Sequence, residues 1–115
     1  MGQQNISLLS LTFTPAGNVK RSRAIGFDGA QATVAGQKIF GVSARDAADK
    51  TLSDVTVIGT EVVETGGAFG AGASLISDAQ GRAVIAAGQA GEYIFADALE
   101  VSSASGAFVE VLLRR

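Results

Sequence analysis

Apolar and polar residues alternate along several short segments of the chain, and a period of two residues is typical of β-strands with one buried face. The alternation is clear in three places: Leu9, Leu11 and Phe13, then Val55 and Val57, and finally Phe108–Leu113. Shorter runs of the same kind occupy residues 23–27, 38–43, 74–77, 82–85 and 93–98. Short strands at nearly regular spacing predict an all-β fold, either a small β-barrel or a β-sandwich.

Turn-forming residues separate these runs. They lie at residues 28–29, 35–36, 65–67, 78–81 and 105–106, and each group contains glycine. Such residues accept positive φ or bond to their own backbone, as tight turns require. The one helical competitor is residues 44–50, with Ser43 as a candidate N-cap, and this segment is long enough for at most two turns. We expect a short helix or a structured loop there, and at most one short helix in the chain.

The sequence contains a candidate internal repeat. The segment KIFGVSARDAADKTLSDVTVI, from Lys38, matches YIFADALEVSSASGAFVEVLL, from Tyr93, with a slip of one residue in the loop. Upstream, DGAQATVAGQ from Asp28 resembles DAQGRAVIAAGQ from Asp78. Two related β units would explain both matches. Chance similarity between segments rich in alanine, valine and glycine is the alternative.

The glycine-rich stretch GGAFGAGASLISDAQGRAV, residues 66–84, has two interpretations. A phosphate-binding loop needs a following helix and usually a lysine before serine or threonine. Here residues 73–76 alternate as a strand, and no lysine follows Lys50. We therefore interpret the glycines as positions where a strand bends or where two backbones approach closely.

Composition narrows the classes of function. The chain of 115 residues predicts one domain. It has no cysteine, which excludes disulfides and thiolate metal sites, and no histidine, which removes the usual general base and the commonest metal ligand. A net charge of −2 offers no field that attracts nucleic acid. No apolar run suits a membrane helix and the N-terminus lacks signal-peptide features, so we expect a soluble protein that stays where it is made.

Carboxylates are the remaining candidates for chemistry. Asp46 with Asp49, and Glu61 with Glu64, have the loose spacing of solvated surface charges, and the chain has little aromatic surface to line a sugar groove. Asp46, Asp49 and Asp54 lack the glycine and the final glutamate of a calcium loop. We expect no catalytic residues, no cofactor and no metal, so the protein is predicted not to be an enzyme.

Two segments are candidates for contacts with another macromolecule. In residues 1–18 a polar start precedes the apolar positions Ile6, Leu8, Leu9, Leu11 and Phe13. This segment is either an ordinary first strand or an arm that adds to a sheet edge of another molecule, and only an arm would be dispensable for folding. A basic cluster follows at Lys20, Arg21 and Arg23, within the single β domain predicted for residues 19–115. It is either the exposed edge of a strand or a contact for an acidic partner.

Three segments in order resemble the capsid decoration, or cement, proteins of tailed bacteriophages. They are AGQKIFGVSARDAA from Ala35, GASLISDAQGRAV from Gly72 and GAFVEVLL from Gly106. One dipeptide departs from the family pattern, because Ala96–Asp97 stands where the second Gly-Val is expected. The resemblance covers residues 23–113 and carries no catalytic residue.

The resemblance implies a β-rich structural protein of the virion, made in the host cytoplasm and bound to the outer surface of an icosahedral head. It would contact the major capsid protein, reinforce the junctions between capsid subunits, and bind neither nucleic acid nor membrane. It would also form homo-oligomers. We favour a trimer over a dimer, because the small core leaves apolar strands such as Val109–Leu113 in need of cover. The rivals are an adhesive or carbohydrate-binding β module, which would need exposed tryptophan and tyrosine, and a small enzyme with a serine or aspartate nucleophile.

Overall fold

The structure, a computed structural model, describes residues 7–113, and within them it contains eight β-strands and no helix. The strands are β1 Ser7–Phe13, β2 Ala24–Gly26, β3 Ile39–Ser43, β4 Ser53–Glu64, β5 Ser74–Ser77, β6 Ala83–Ile85, β7 Ala96–Ala98 and β8 Phe108–Leu113. Each predicted strand is present, so the all-β prediction is confirmed. The segment 44–50 is a loop, and Ala47 forms an isolated bridge with Val19. Residues 7–113 accordingly contain no helix that could cross a bilayer.

The strands form one antiparallel sheet that nearly closes into a barrel. Their order is β2-β3-β4-β8-β7-β5-β6, and β1 pairs with β4 outside this path. The two ends of the path meet, because the Ala24 N–H of β2 donates to Gly81 O, between β5 and β6, at 2.7 Å. Within β4, Gly59 has a φ of 119° and marks the point where the pairing partners change. Its first half pairs with β1 and β3, and its second half pairs with β8.

The barrel interior contains two clusters of buried side chains. The larger cluster is formed mainly by β3, β5, β7, β8 and the second half of β4. The smaller cluster comprises Phe13, Val19, Ile25, Val55 and Val57. The larger cluster contradicts the argument for a trimer, which was that β8 needs cover from another subunit. Val109, Val111 and Leu113 are buried in the chain's own core, whereas only Phe108 and Leu112 of β8 are exposed.

The repeated sequences adopt the same backbone arrangement. In the first unit Val19 bridges Ala47. In the second unit Phe69, which lies 50 residues after Val19, bridges Ser102, which lies 55 residues after Ala47. The same offsets relate the pairs Ala24↔Val42 of β2 and β3 and Ser74↔Asp97 of β5 and β7. They also relate two turn hydrogen bonds, from Ser22 N to Ser43 O and from Gly72 N to Ala98 O. This agreement favours two related units over chance similarity.

Candidate functional site

Strand β1 forms an open edge of the sheet. The β4 residues Val55 and Thr56 pair with β3 on one side and with β1 on the other, so β1 lies outermost. No other strand within residues 7–113 pairs with β1. Its sequence, SLLSLTF, contains neither the charges nor the proline that usually protect a sheet edge, although its register is irregular between Ser7 and Ser10. The outer edge of β1 therefore offers backbone groups to another strand.

The side chains of β1 divide between solvent and core. Leu8 is 74% exposed, Leu9 40% and Leu11 39%, whereas Phe13 is 9% exposed and packs in the smaller core cluster. Phe13 is thus a core residue of the domain rather than a contact surface. Ile6 lies outside the described residues. The structure leaves three of the five predicted apolar positions accessible to a partner, namely Leu8, Leu9 and Leu11.

A second surface feature is a groove beside the basic cluster, with a volume of about 670 Å³. One wall is the segment Lys20–Arg23, and the other wall contains Val62 and Glu64 of β4 and Phe108 of β8. Asp46 also lines the groove, and its Oδ1 accepts the Arg21 N–H at 2.7 Å. The groove thus combines a basic wall with a partly apolar one.

The three basic residues have different environments. Arg23 is buried, its Nη2 lies 2.9 Å from Glu64 Oε1, and its Nη1 donates to Gln80 O at 2.8 Å. Its charge is therefore compensated inside the protein. Lys20 and Arg21 are exposed, and the side chain of neither forms an ion pair with a residue in the 7–113 range. The sequence indicated one basic cluster, but the structure leaves two of its members available to a partner.

The candidate carboxylates have structural partners. Glu61 is buried; it accepts hydrogen bonds from Thr56 Oγ1 and from the Val62 N–H, each at 2.9 Å. Burial raises the pKa of Glu61, while these hydrogen bonds and the charge of Arg21 oppose the rise. Asp49 accepts the N–H of Gly17 at 2.8 Å, so this carboxylate ties two loops together. Among the described residues, no group of three acidic side chains is placed to hold a metal ion.

The glycine-rich stretch leads into β5 without a helix, and only part of it needs glycine. A Cβ on Gly66 would lie 2.5 Å from Asp78 Oδ2, which is a close approach, and Gly72 has a φ of 84°. Gly67 and Gly70 have open space around the Cβ position. Bending and close approach therefore explain Gly66 and Gly72, and a positive φ of 79° explains Gly81, but neither explains Gly67 or Gly70.

Comparison with known families decides what kind of protein this is. Residues 3–113 match the sequence model of the phage cement proteins. The chain belongs to the phage cement protein family. The predicted resemblance is thereby confirmed, and the cement protein is a structural, capsid-associated component of the phage virion.

The fold of this cement protein has a solved counterpart. It is similar to the N base of head fiber gp8.5 in bacteriophage phi29, with a TM-score of 0.70 and 20% sequence identity. The alignment covers 92% of this chain and 93% of that one. At this identity the likeness shows a shared fold and nothing more. No curated protein matches the sequence.

Proposed function

We propose that the protein binds the outer face of an icosahedral phage head and reinforces contacts between major capsid protein subunits. The observation that carries this proposal is the open edge of β1 with its exposed leucines, in a member of the cement family. A strand of the capsid protein that paired with this edge would satisfy its free N–H and C=O groups. Complete burial of a fully exposed leucine contributes about 1.5–3 kcal/mol, so Leu8, which is 74% exposed, would contribute most and Leu9 and Leu11 less.

Self-association fits the same proposal. We propose that the protein acts as a homotrimer on the head, with a dimer as the competing state. Several β1 edges in one assembly would contact several capsid subunits at once, so that modest contacts add up to strong retention. The stoichiometry follows from the sedimentation of the free protein and from the number of copies that each head retains.

The alternative function, an adhesive or carbohydrate-binding module, is less well supported. A sugar-binding module would be expected to expose tryptophan and tyrosine for stacking, and the chain has one tyrosine and no tryptophan. That tyrosine, Tyr93, is only partly exposed, because it packs against the larger core cluster. The scarcity of tryptophan and tyrosine therefore favours the capsid proposal.

Co-sedimentation with undecorated heads tests the proposal. Leu8→Asp places a charge on the β1 edge, and Val101→Asp adds the same charge at a loop position that is 66% exposed and lies outside β1. We expect Leu8→Asp to weaken head binding at least tenfold and Val101→Asp to leave it unchanged. Heads decorated with wild-type protein should also release their DNA at a higher temperature than undecorated heads. Wild-type occupancy by folded Leu8→Asp protein would exclude β1 as the docking strand.

A further inference from the structure

The groove beside Lys20 and Arg21 has more hydrogen-bond donors than acceptors. Asp46 and Glu64, the acidic residues that line it, already accept from the Arg21 N–H and from the Arg23 guanidinium. The side-chain donors of Lys20 and Arg21 have no acceptor among residues 7–113, although Arg21 also interacts electrostatically with the buried Glu61. A ligand that supplied carboxylate oxygens would complement this surplus.

The opposite wall of the groove is suited to an apolar side chain. Val62 of β4 and Phe108 of β8 line it, and Phe108 is 48% exposed. The neighbouring strands pair through Glu64↔Phe108 and Val62↔Glu110, so this wall is part of the regular sheet. A side chain placed there would bury apolar surface, while an adjacent carboxylate reached the basic wall.

The internal repeat shows that this type of turn can form without charged side chains. The positions that correspond to Lys20–Arg23 in the second unit are Gly70–Ala73, and the position that corresponds to Asp46 is Val101. Both units nevertheless form the same turn, with equivalent hydrogen bonds from Ser22 N and Gly72 N. The charged version of the loop is therefore an addition to a backbone that closes without it.

We propose that this groove binds an extended acidic segment of the major capsid protein, with a carboxylate at Lys20 and Arg21 and an apolar side chain against Val62 and Phe108. The inference rests on the proposed function, because it takes the capsid as the source of the segment. The groove is a second contact, separate from the β1 edge, and its electrostatic part makes attachment sensitive to salt.

Two experiments separate this proposal from the proposed function. In the first, isotopically labelled protein is titrated with the peptide acetyl-Asp-Phe-Asp-Leu-amide, while NMR reports the backbone amides. We expect shifts at residues 20–23, 62 and 108, and no such shifts with the matched Asn-Phe-Asn-Leu peptide or in Lys20→Glu/Arg21→Glu protein. Equal shifts with both peptides, or shifts confined to other residues, would contradict the proposal that the groove binds an acidic segment.

In the second experiment, Lys20→Glu/Arg21→Glu is compared with Lys38→Glu/Arg45→Glu, which makes the same charge change outside the groove. We expect head binding to weaken at least tenfold in the first variant alone. Equal binding by both variants would overturn the groove while leaving the capsid function intact. If wild-type protein did not bind heads, the capsid function would fail, and the peptide titration would still decide the groove. A changed sedimentation state in the first variant would assign the groove to contacts between copies and contradict the proposal.

Discussion

Ser22 and Gly72 occupy corresponding positions in the two units, and both have left-handed backbone conformations, with φ of 64° and 84°. The left-handed conformation costs a residue with a Cβ about 1–2 kcal/mol. Glycine avoids this cost but loses more conformational entropy on folding, so the net stabilisation by glycine is smaller. We expect Ser22→Gly to stabilise the protein by about 0.5 kcal/mol and Gly72→Ser to destabilise it by about 1 kcal/mol. Urea denaturation measures both. Gly70→Ser is the control, because Gly70 has open space and no left-handed φ. Equal effects at positions 70 and 72 would contradict the backbone explanation.

Gly41 allows β3 to approach β4 closely. A Cβ at this position would lie 2.5 Å from Thr56 O and 2.6 Å from Val55 Cγ2, and the first contact is with backbone that has no rotamer to change. We expect Gly41→Ala to lower the free energy of unfolding by about 2–3 kcal/mol. Gly67→Ala, which meets nothing within 4 Å, should change it by less than about 0.5 kcal/mol. If Gly41→Ala left the free energy of unfolding unchanged, β3 and β4 would be less tightly packed than the structure indicates.

The sequence predicted the strands well because alternation is a local signal. Phe108–Leu113 and Ser74–Ser77 have the predicted bounds, and the turn after Asp28 lies where glycine allows positive φ. The alternation could not predict which strand or subunit covers each apolar face. It suggested that β8 needs cover from another subunit, whereas three of its apolar side chains are covered by strands that are distant in sequence.

The basic cluster was only partly predictable for the same reason. Lys20, Arg21 and Arg23 lie within four positions of one another, but a turn at residues 21–22 separates Arg23 from the other two. Arg23 then pairs with Glu64, which is 41 residues away in the sequence. Neither the turn nor a pair at that separation leaves a spacing pattern that sequence reasoning could detect.

Glu61 makes stability depend on pH. Burial raises its pKa above the ordinary value of 4.5, so the folded state binds the proton more tightly than the unfolded state does. Protonation of Glu61 therefore favours folding, and this contribution is present below pH 4.5 and lost as pH rises through the folded-state pKa. We expect Glu61→Gln to be more stable than wild type at pH 7, with the difference shrinking toward pH 4. Denaturation of both proteins across this range measures the difference. A constant difference would exclude Glu61 as its source.

Substitutions at the two ends of β1 should change different properties, folding stability at Phe13 and head binding at Leu8. Phe13 packs with Val55 and Val57, so Phe13→Ala removes core contacts and should cost about 3 kcal/mol of stability. In a domain of this size such a loss lowers the melting temperature by roughly 10 °C or more. Leu8 is mostly exposed, so Leu8→Ala should leave the melting temperature nearly unchanged while weakening head binding.

Deletion of residues 3–14 would remove both ends together and uncover the paired edge of β4, so we expect the truncated protein to unfold rather than to remain a folded, non-binding domain. Thermal melts and head co-sedimentation on the same samples make the comparison. A folded truncation that retained the wild-type melting temperature would show that β1 is a detachable arm. Strong head binding by Leu8→Ala would instead place the docking contact away from the exposed end of the strand.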